Sequence, residues 1–139
     1  MRTDVRLRSL LGICFCGRPV SPTRRMYCSY SCQAFGARLT IYKLDGTLFR
    51  ELLKRQSGVC AICAKPLVFS SEVRAPSIDH DHRTGRVRGI LCRSCNLRVG
   101  WYELAMKRGS VVAAQQLGGF ATKIAHYLLV AARGAIGPQ

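Results

Sequence analysis

The sequence of 139 residues predicts a small α+β fold. Two Cys-x-x-Cys pairs, Cys60/Cys63 and Cys92/Cys95, bracket the middle of the chain. Between them lie two short apolar runs joined by a turn that contains glycine, which is the pattern of a β-hairpin. Apolar residues recur at helical spacing on both sides of this segment. A chain of this length builds only a modest core, so bound metal ions would help to stabilise it.

The chain divides into three predicted segments. Residues 1–42 contain four of the cysteines and are expected to form an N-terminal zinc-binding module. Residues 43–134 contain the hairpin and the long apolar-periodic stretches, so we expect them to form the main domain. Residues 135–139 are expected to be a flexible tail.

In the main domain the pattern predicts a helix at 47–56, with Leu48, Leu52 and Leu53 on one face and Gly58 ending it. Strands are expected at 77–82 and 87–91, with Gly85 supplying a positive φ in the turn between them. Two helices are predicted to follow, at 96–108 and at 111–132, the second interrupted at the Gly118-Gly119 pair. Its apolar residues indicate a buried or dimer-forming face: Ile124, Leu128 and Val130.

Eight cysteines are compatible with four disulfides in a secreted protein or with two zinc sites in a reducing compartment. The spacing favours zinc, because two thiolates of one Cys-x-x-Cys knuckle can bind one ion. We expect a structural zinc, with every coordination position filled, on Cys60, Cys63, Cys92 and Cys95. The spacing of the N-terminal set is less even. A second zinc is expected there, with free thiols or a disulfide formed on handling as alternatives, on Cys14, Cys16, Cys28 and Cys32.

The charge balance points to a polyanionic partner. Lys and Arg total 22 while Asp and Glu total 7, which gives a net charge of +15. Arginine binds phosphate oxygens in a bidentate manner, and nucleic acid is the usual partner of so basic a chain. A protein that is merely basic is the alternative. No secretory signal is visible and the apolar stretch 124–132 is too short to span a bilayer, so we expect a cytoplasmic protein without membrane association.

The segment Asp79-His80-Asp81-His82 is the main candidate for chemistry. Hydrolysis of a phosphodiester needs a divalent metal ion and an activated water. The Asp79 carboxylate and the Asn96 amide oxygen suit Mg²⁺, and the neutral His80 imidazole can accept a proton from water. Strand alternation places His82 on the face of His80 and Asp79 on the opposite face. A metal site on Asp79 and Asn96 therefore requires a local bend in the strand.

Each of these residues also has a simpler interpretation. An isolated Asp-His pair is usually a surface feature, and Asn96 could be only a helix cap. Asp81 is expected to support the turn or to orient a histidine. The nearby arginines are expected to contact DNA phosphates, or to be solvated strand residues: Arg83, Arg86, Arg88 and Arg93.

The combined motifs resemble the signature of the recombination endonuclease VII family, a group of HNH or ββα-metal nucleases. The resemblance covers roughly residues 42–129, and its most specific parts are Asp79-His80-Asp81-His82, Arg88-Gly89 and Leu91-Cys92-Arg93-Ser94-Cys95-Asn96. It implies a zinc-stapled ββα-metal domain in which Asp79 and Asn96 bind a catalytic Mg²⁺ or Mn²⁺. By the same resemblance, His80 is the general base and His82 an auxiliary catalytic residue.

The family resemblance further implies a homodimer that cuts branched DNA, such as Holliday junctions, in recombination or phage DNA processing, in the cytoplasm of a bacterial or phage-infected host cell. In some members an acidic residue one turn after the Asn contributes to the site, but this chain has Val99 there. Glu103 lies on the same predicted helical face. The alternatives are a nicking or homing-type HNH nuclease and a non-catalytic zinc-finger DNA-binding protein. RNA cleavage is less favoured, because no aromatic stacking platform is evident.

Overall fold

The computed structural model describes residues 12, 14, 16, 18–21, 27–44, 46–69 and 73–134. This part of the chain contains five helices and one two-stranded sheet, which confirms the α+β prediction. The chain divides into two compact units, Met1–Ser57 and Gly58–Gln139. The predicted tail at 135–139 lies outside the described residues, and the functional boundary between 42 and 43 stays a prediction.

The first unit contains helix α1 (Tyr30–Ile41), which the sequence analysis did not predict. Its buried positions include a cysteine and a glycine, Cys32 and Gly36, so hydrophobic periodicity is weak. The local signal is the N-cap, because the Ser29 hydroxyl accepts a hydrogen bond from the Cys32 N–H at 3.2 Å. Gly36 is required by close packing, since a Cβ there would lie 2.5 Å from the ring of Tyr27.

Helix α2 (Gly46–Arg55) confirms the predicted helix at 47–56 to within one residue. The predicted apolar face was partly wrong, because Leu48 is 37% exposed while Phe49 is completely buried. The Phe49 ring packs on Phe35 of α1, with 4.8 Å between ring centroids. Contact with α1 therefore selects the face that carries Phe49 and Leu52.

The second unit begins with a tight turn that forms the first cysteine knuckle. The Cys60 N–H donates to the Lys65 carbonyl, and the Ala64 N–H donates to the Cys60 carbonyl, each at 2.9 Å. Ala64 has a φ of 56°, which lets the chain reverse within a few residues. The reversal places Cys60 and Cys63 on the same side of the turn.

Strands β1 (Pro76–His80) and β2 (Val87–Cys92) form the predicted antiparallel hairpin. The prediction that the first strand continues to residue 82 was wrong, because β1 ends at His80 and His82 lies in the connecting turn, so strand alternation does not determine where His82 lies. Asp79 pairs with Gly89, but His80 pairs with Val87, so Arg88 is an extra residue on β2. A β-bulge bends its strand locally, and bulges are frequent next to active sites.

The connecting turn confirms two predictions. Gly85 adopts a φ of 73°. The Asp81 carboxylate supports the turn by accepting hydrogen bonds from the N–H groups of Arg83, at 2.8 Å, and Thr84, at 3.3 Å. The bond from the Arg83 N–H, and to a smaller extent that from Thr84, lowers the pKa of Asp81.

Three helices follow the hairpin: α3 (Arg93–Lys107), α4 (Val111–Gln115) and α5 (Gly119–Gly134). The predicted interruption of the last helical stretch is confirmed, since Gly118 has a φ of 57° between α4 and α5. Helix α3 packs on both strands, and α5 packs on β2 and α3. The core of this unit consists of buried residues from the knuckles, β2, α3 and α5: Cys60, Ile62, Leu91, Cys92, Cys95, Val99, Ile124 and Tyr127.

The described helices include no segment with the length and apolar character needed to cross a membrane.

Candidate active site and metal centres

The second unit gathers four thiols that fit a tetrahedral metal ion. One sulfur from each of Cys60, Cys63, Cys92 and Cys95 lies within 4.8 Å of the others. Zinc with Zn–S distances of about 2.3 Å would hold its sulfurs about 3.8 Å apart, and the Cys63 and Cys92 sulfurs are 3.9 Å apart. Burial raises the pKa of the Cys60 and Cys95 thiols. Thiolates in this place therefore need a compensating cation, which zinc provides.

The N-terminal cysteines form a second such cluster, in which Cys14, Cys16, Cys28 and Cys32 also lie within 4.8 Å of one another. The Cys28 sulfur is 3.4 Å from that of Cys16 and 3.6 Å from that of Cys32. Interaction with Cys16, and then with Cys28, raises the pKa of Arg18. Both predicted zinc sites are thus compatible with the structure.

Asp79 lies at the centre of a buried hydrogen-bond network. Asp79 is 4% exposed. Its carboxylate accepts two hydrogen bonds from Arg88, from Nε to Oδ2 at 2.8 Å and from Nη2 to Oδ1 at 2.9 Å. The Tyr127 hydroxyl donates a third bond to Oδ2 at 2.8 Å. Three bonds from two elements therefore fix the orientation of this carboxylate.

Arg88 also binds Glu103 on α3. Its Nη1 donates to Oε1 at 2.5 Å and its Nη2 donates to Oε2 at 3.2 Å. Burial lowers the pKa of Arg88, but the bonds to Glu103 and Asp79 outweigh it, so the pKa is raised and the guanidinium stays charged. Two carboxylates surround one guanidinium, so the network carries a formal charge of about −1, which favours a nearby cation.

Arg88 consequently differs from the other arginines predicted to contact DNA. Its side chain is 8% exposed and lies between two carboxylates. The remaining three have exposed side chains around the hairpin turn and at the start of α3: Arg83, Arg86 and Arg93.

The two predicted catalytic histidines lie together at the end of the hairpin. Their ring centroids are 4.7 Å apart and the rings meet edge to face, at 84°. His80 is half-buried and His82 is exposed. Burial, and then the neighbouring His82, lower the pKa of His80. The neutral imidazole, which can accept a proton, is therefore the favoured form at neutral pH.

Asn96 lies half-buried in the first part of α3, the helix that packs on β1 and β2. The helix begins at Arg93, three residues before the prediction, because Cys92 is its extended N-cap and Cys95 lies in its first turn. A metal ion in the four-cysteine site would anchor this first turn to the knuckle of Cys60 and Cys63. Joint metal binding by Asn96 and Asp79 stays a prediction.

The Asp79 carboxylate can supply one oxygen ligand to a hard divalent ion. A carboxylate offers about four lone-pair positions. Arg88 and Tyr127 together saturate Oδ2, whereas Oδ1 receives only the bond from Arg88 among those described. Oδ1 can therefore accept one further bond. Mg²⁺ is commonly held by one or two carboxylates and several waters, so this single position is sufficient.

The structure adds two side chains to the network around Asp79: Glu103, which the sequence indicated as a candidate, and Tyr127, which it did not. Val99 is 1% exposed in the core, so the carboxylate of α3 that reaches the network is Glu103, four residues later on the same helical face. Tyr127 is separated from Asp79 by 48 residues and was not predicted. The one signal that could have indicated Tyr127 is that a tyrosine buried in a helix usually needs a hydrogen-bond partner for its hydroxyl.

Substitution of Arg88 by lysine tests the contribution of the network to stability. Lysine keeps the charge but cannot reproduce four bonds to two carboxylates, so we expect the free energy of unfolding to fall by about 1–3 kcal/mol. Urea denaturation measures the change. Arg86→Lys, at an exposed position of the same hairpin, is the control and should stay within about 0.5 kcal/mol of the wild type. Equal stability of both variants would contradict a structural role for this pairing.

Comparison with known proteins identifies the same family that the sequence motifs resemble. The profile of the family described as recombination endonuclease VII matches residues 37–118. Two curated relatives are the Gene 59 protein of Mycobacterium phage L5, 38% identical over 64 residues, and the Gene 59 protein of Mycobacterium phage D29, 36% identical over 64 residues. The match covers 45% of this chain and 37% of each relative's length.

No solved structure was found to match the chain. The family match nevertheless spans more than half of the sequence and includes β1, β2, both central knuckles and α3. The chain belongs to the recombination endonuclease VII family.

Proposed function

We propose that this protein is a metal-dependent HNH endonuclease that hydrolyses phosphodiester bonds in DNA. The observation that carries the proposal is the buried Asp79 carboxylate, oriented at a β-bulge directly before His80, on a hairpin that packs against the helix of Asn96. This arrangement joins a candidate ligand for a hard ion to a neutral base. The family match supports the same chemistry.

In the proposed mechanism Asp79 and Asn96 would hold a Mg²⁺ or Mn²⁺ ion. When bound, that ion supplies charge stabilisation at the phosphate and at the leaving 3′-oxygen. His80 accepts a proton from the water that attacks phosphorus, and its lowered pKa keeps the imidazole free to do so. His82, whose ring meets that of His80 edge to face, orients the base or contacts the phosphate.

The charge of the chain supports DNA as the substrate. The net charge is +15, and Arg83, Arg86 and Arg93 expose their side chains around the hairpin that carries the histidines. We propose that these three arginines contact backbone phosphates. Binding by such contacts weakens steeply as salt rises, because the counterions that binding releases from DNA gain less entropy when they enter a more concentrated salt solution.

We further propose that the protein is a homodimer that acts on branched DNA in the cytoplasm of a bacterial or phage-infected cell. Support comes from the family resemblance and from α5, where Leu129 and Val130 are 56% and 54% exposed. Sedimentation at micromolar concentration should give the mass of two chains. A monomer there would contradict the dimer and leave the chemistry of a single site intact.

A cleavage assay tests the main proposal. The purified protein should nick or cut supercoiled plasmid with Mg²⁺ or Mn²⁺ and should be inactive with excess chelator of divalent ions. A four-way junction and a linear duplex of the same sequence, assayed in parallel, separate a junction resolvase from a nicking or homing-type nuclease. Binding to every DNA form without cleavage of any would support the alternative, a zinc-finger protein that only binds DNA.

A further inference from the structure

We propose that Tyr127 is a positioning residue for Asp79, and that it determines which carboxylate oxygen faces the metal ion. This inference rests on the proposed function, because it assigns a task to a residue around the same site. Tyr127 lies on α5, nine residues after the last residue of the family match at 118. The inference therefore extends the site to a helix that the family match does not include.

The first step of the argument is the position of the hydroxyl. Tyr127 is 7% exposed in the core cluster, and its hydroxyl donates to Asp79 Oδ2 at 2.8 Å. An ionised carboxylate can only accept hydrogen bonds, so the Tyr127 hydroxyl acts here as the donor. A bond with a protonated tyrosine is directional and does not add charge to the site.

The second step is the asymmetry between the two oxygens of Asp79. Oδ2 accepts bonds from Arg88 Nε and the Tyr127 hydroxyl, whereas Oδ1 accepts one from Arg88 Nη2. A cation must therefore approach Oδ1 unless a bond is broken. Without the tyrosine hydroxyl, Oδ2 would regain a lone pair, and the carboxylate could rotate or bind the ion through either oxygen.

The third step concerns rigidity. Ile124, one turn before Tyr127, is completely buried, and α5 packs on β2 and α3. The tyrosine ring is thus held by the core while its hydroxyl reaches the site. Groups that bond a metal-binding carboxylate from outside typically change metal affinity or activity by about 10–100-fold when they are removed.

Tyr127→Phe removes only the hydroxyl and is the variant that tests this role. Tyr102→Phe is the matched control, because Tyr102 packs against the same core cluster. The first readout is Mn²⁺ binding to the zinc-loaded protein, followed through the electron paramagnetic resonance signal of free Mn²⁺, which needs no DNA and no turnover. The second is the dependence of plasmid cleavage on Mg²⁺ concentration. Circular dichroism verifies that both variants fold.

We expect Tyr127→Phe to weaken Mn²⁺ binding by about 10-fold or more and to raise the Mg²⁺ concentration for half-maximal cleavage by a similar factor, with a smaller change in the rate at saturating metal. Tyr102→Phe should match the wild type in both. A merely structural role would lower thermal stability without moving the metal dependence.

The outcomes separate the two proposals. If the wild type binds Mn²⁺ and cuts DNA, and folded Tyr127→Phe has the metal dependence of the wild type, the positioning role is overturned and the nuclease proposal stands. If folded wild-type protein neither binds Mn²⁺ at this site nor cuts any DNA form, the proposed function itself is overturned, and the role of Tyr127 with it.

Discussion

Replacement of His80 by alanine is expected to lower the rate of DNA cleavage by about 10²–10⁴-fold at saturating Mg²⁺, because a positioned general base contributes a factor of that size. The imidazole is half-buried beside Asp79, and its lowered pKa keeps it neutral. Single-turnover nicking of supercoiled plasmid at neutral pH measures the effect. DNA binding, measured by electrophoretic mobility shift, should change little.

His126 offers the control, since it is the third histidine of the chain and lies exposed on α5. His126→Ala should cleave at the rate of the wild type. Cleavage by His80→Ala within about threefold of the wild type would remove His80 from the role of general base. The cleavage rate of His82→Ala should lie between those of His80→Ala and His126→Ala, because the His82 ring contacts that of His80 but is itself exposed.

The second large effect is expected from loss of the central four-cysteine site. Cys95 is 1% exposed, belongs to the core cluster and lies in the first turn of α3. Structural zinc contributes about 10–16 kcal/mol in small domains, which is comparable with or larger than a typical total stability of about 5–15 kcal/mol. We therefore expect Cys95→Ser to unfold residues 58–134 and to abolish cleavage.

Zinc analysis and circular dichroism measure the outcome. Bound zinc should fall from about two ions per chain to about one, with a loss of helical signal. Cys32→Ser is the matched variant, because Cys32 is also completely buried but belongs to the N-terminal cluster in the other compact unit. It should lose one zinc and keep the helices of the second unit. A folded, fully active Cys95→Ser protein would contradict a structural metal at this site.

Much of the second unit follows from local sequence signals. The Cys-x-x-Cys pairs predicted a joint thiol cluster, and the structure places all four sulfurs within 4.8 Å of one another. Gly85 and Asp81 predicted the turn, and the glycine pair predicted the break before α5. These features depend on residue type and short spacing, so a single sequence contains the necessary information.

Features that depend on contacts between helices and strands were harder to predict from the sequence. Helix α1 lacks a clear apolar stripe, and the face of α2 that becomes buried is chosen by the contact between Phe49 and Phe35. Strand alternation indicated that a metal site on Asp79 and Asn96 needs a bend in the strand, but it did not indicate what kind of irregularity would occur there. An extra residue at Arg88 is a matter of register between two strands, which sequence periodicity does not specify.

The sequence by itself determined the α+β class, the two cysteine clusters, the hairpin with its tandem Asp-His segment and the family. The tertiary structure decided the role of Arg88, which looked like a DNA contact and instead pairs with Asp79 and Glu103 inside the protein. It also brought Tyr127 to Asp79 across 48 residues. The physical reason is that burial and partner choice for a charged side chain depend on how β2, α3 and α5 pack, and neither composition nor local spacing encodes that packing.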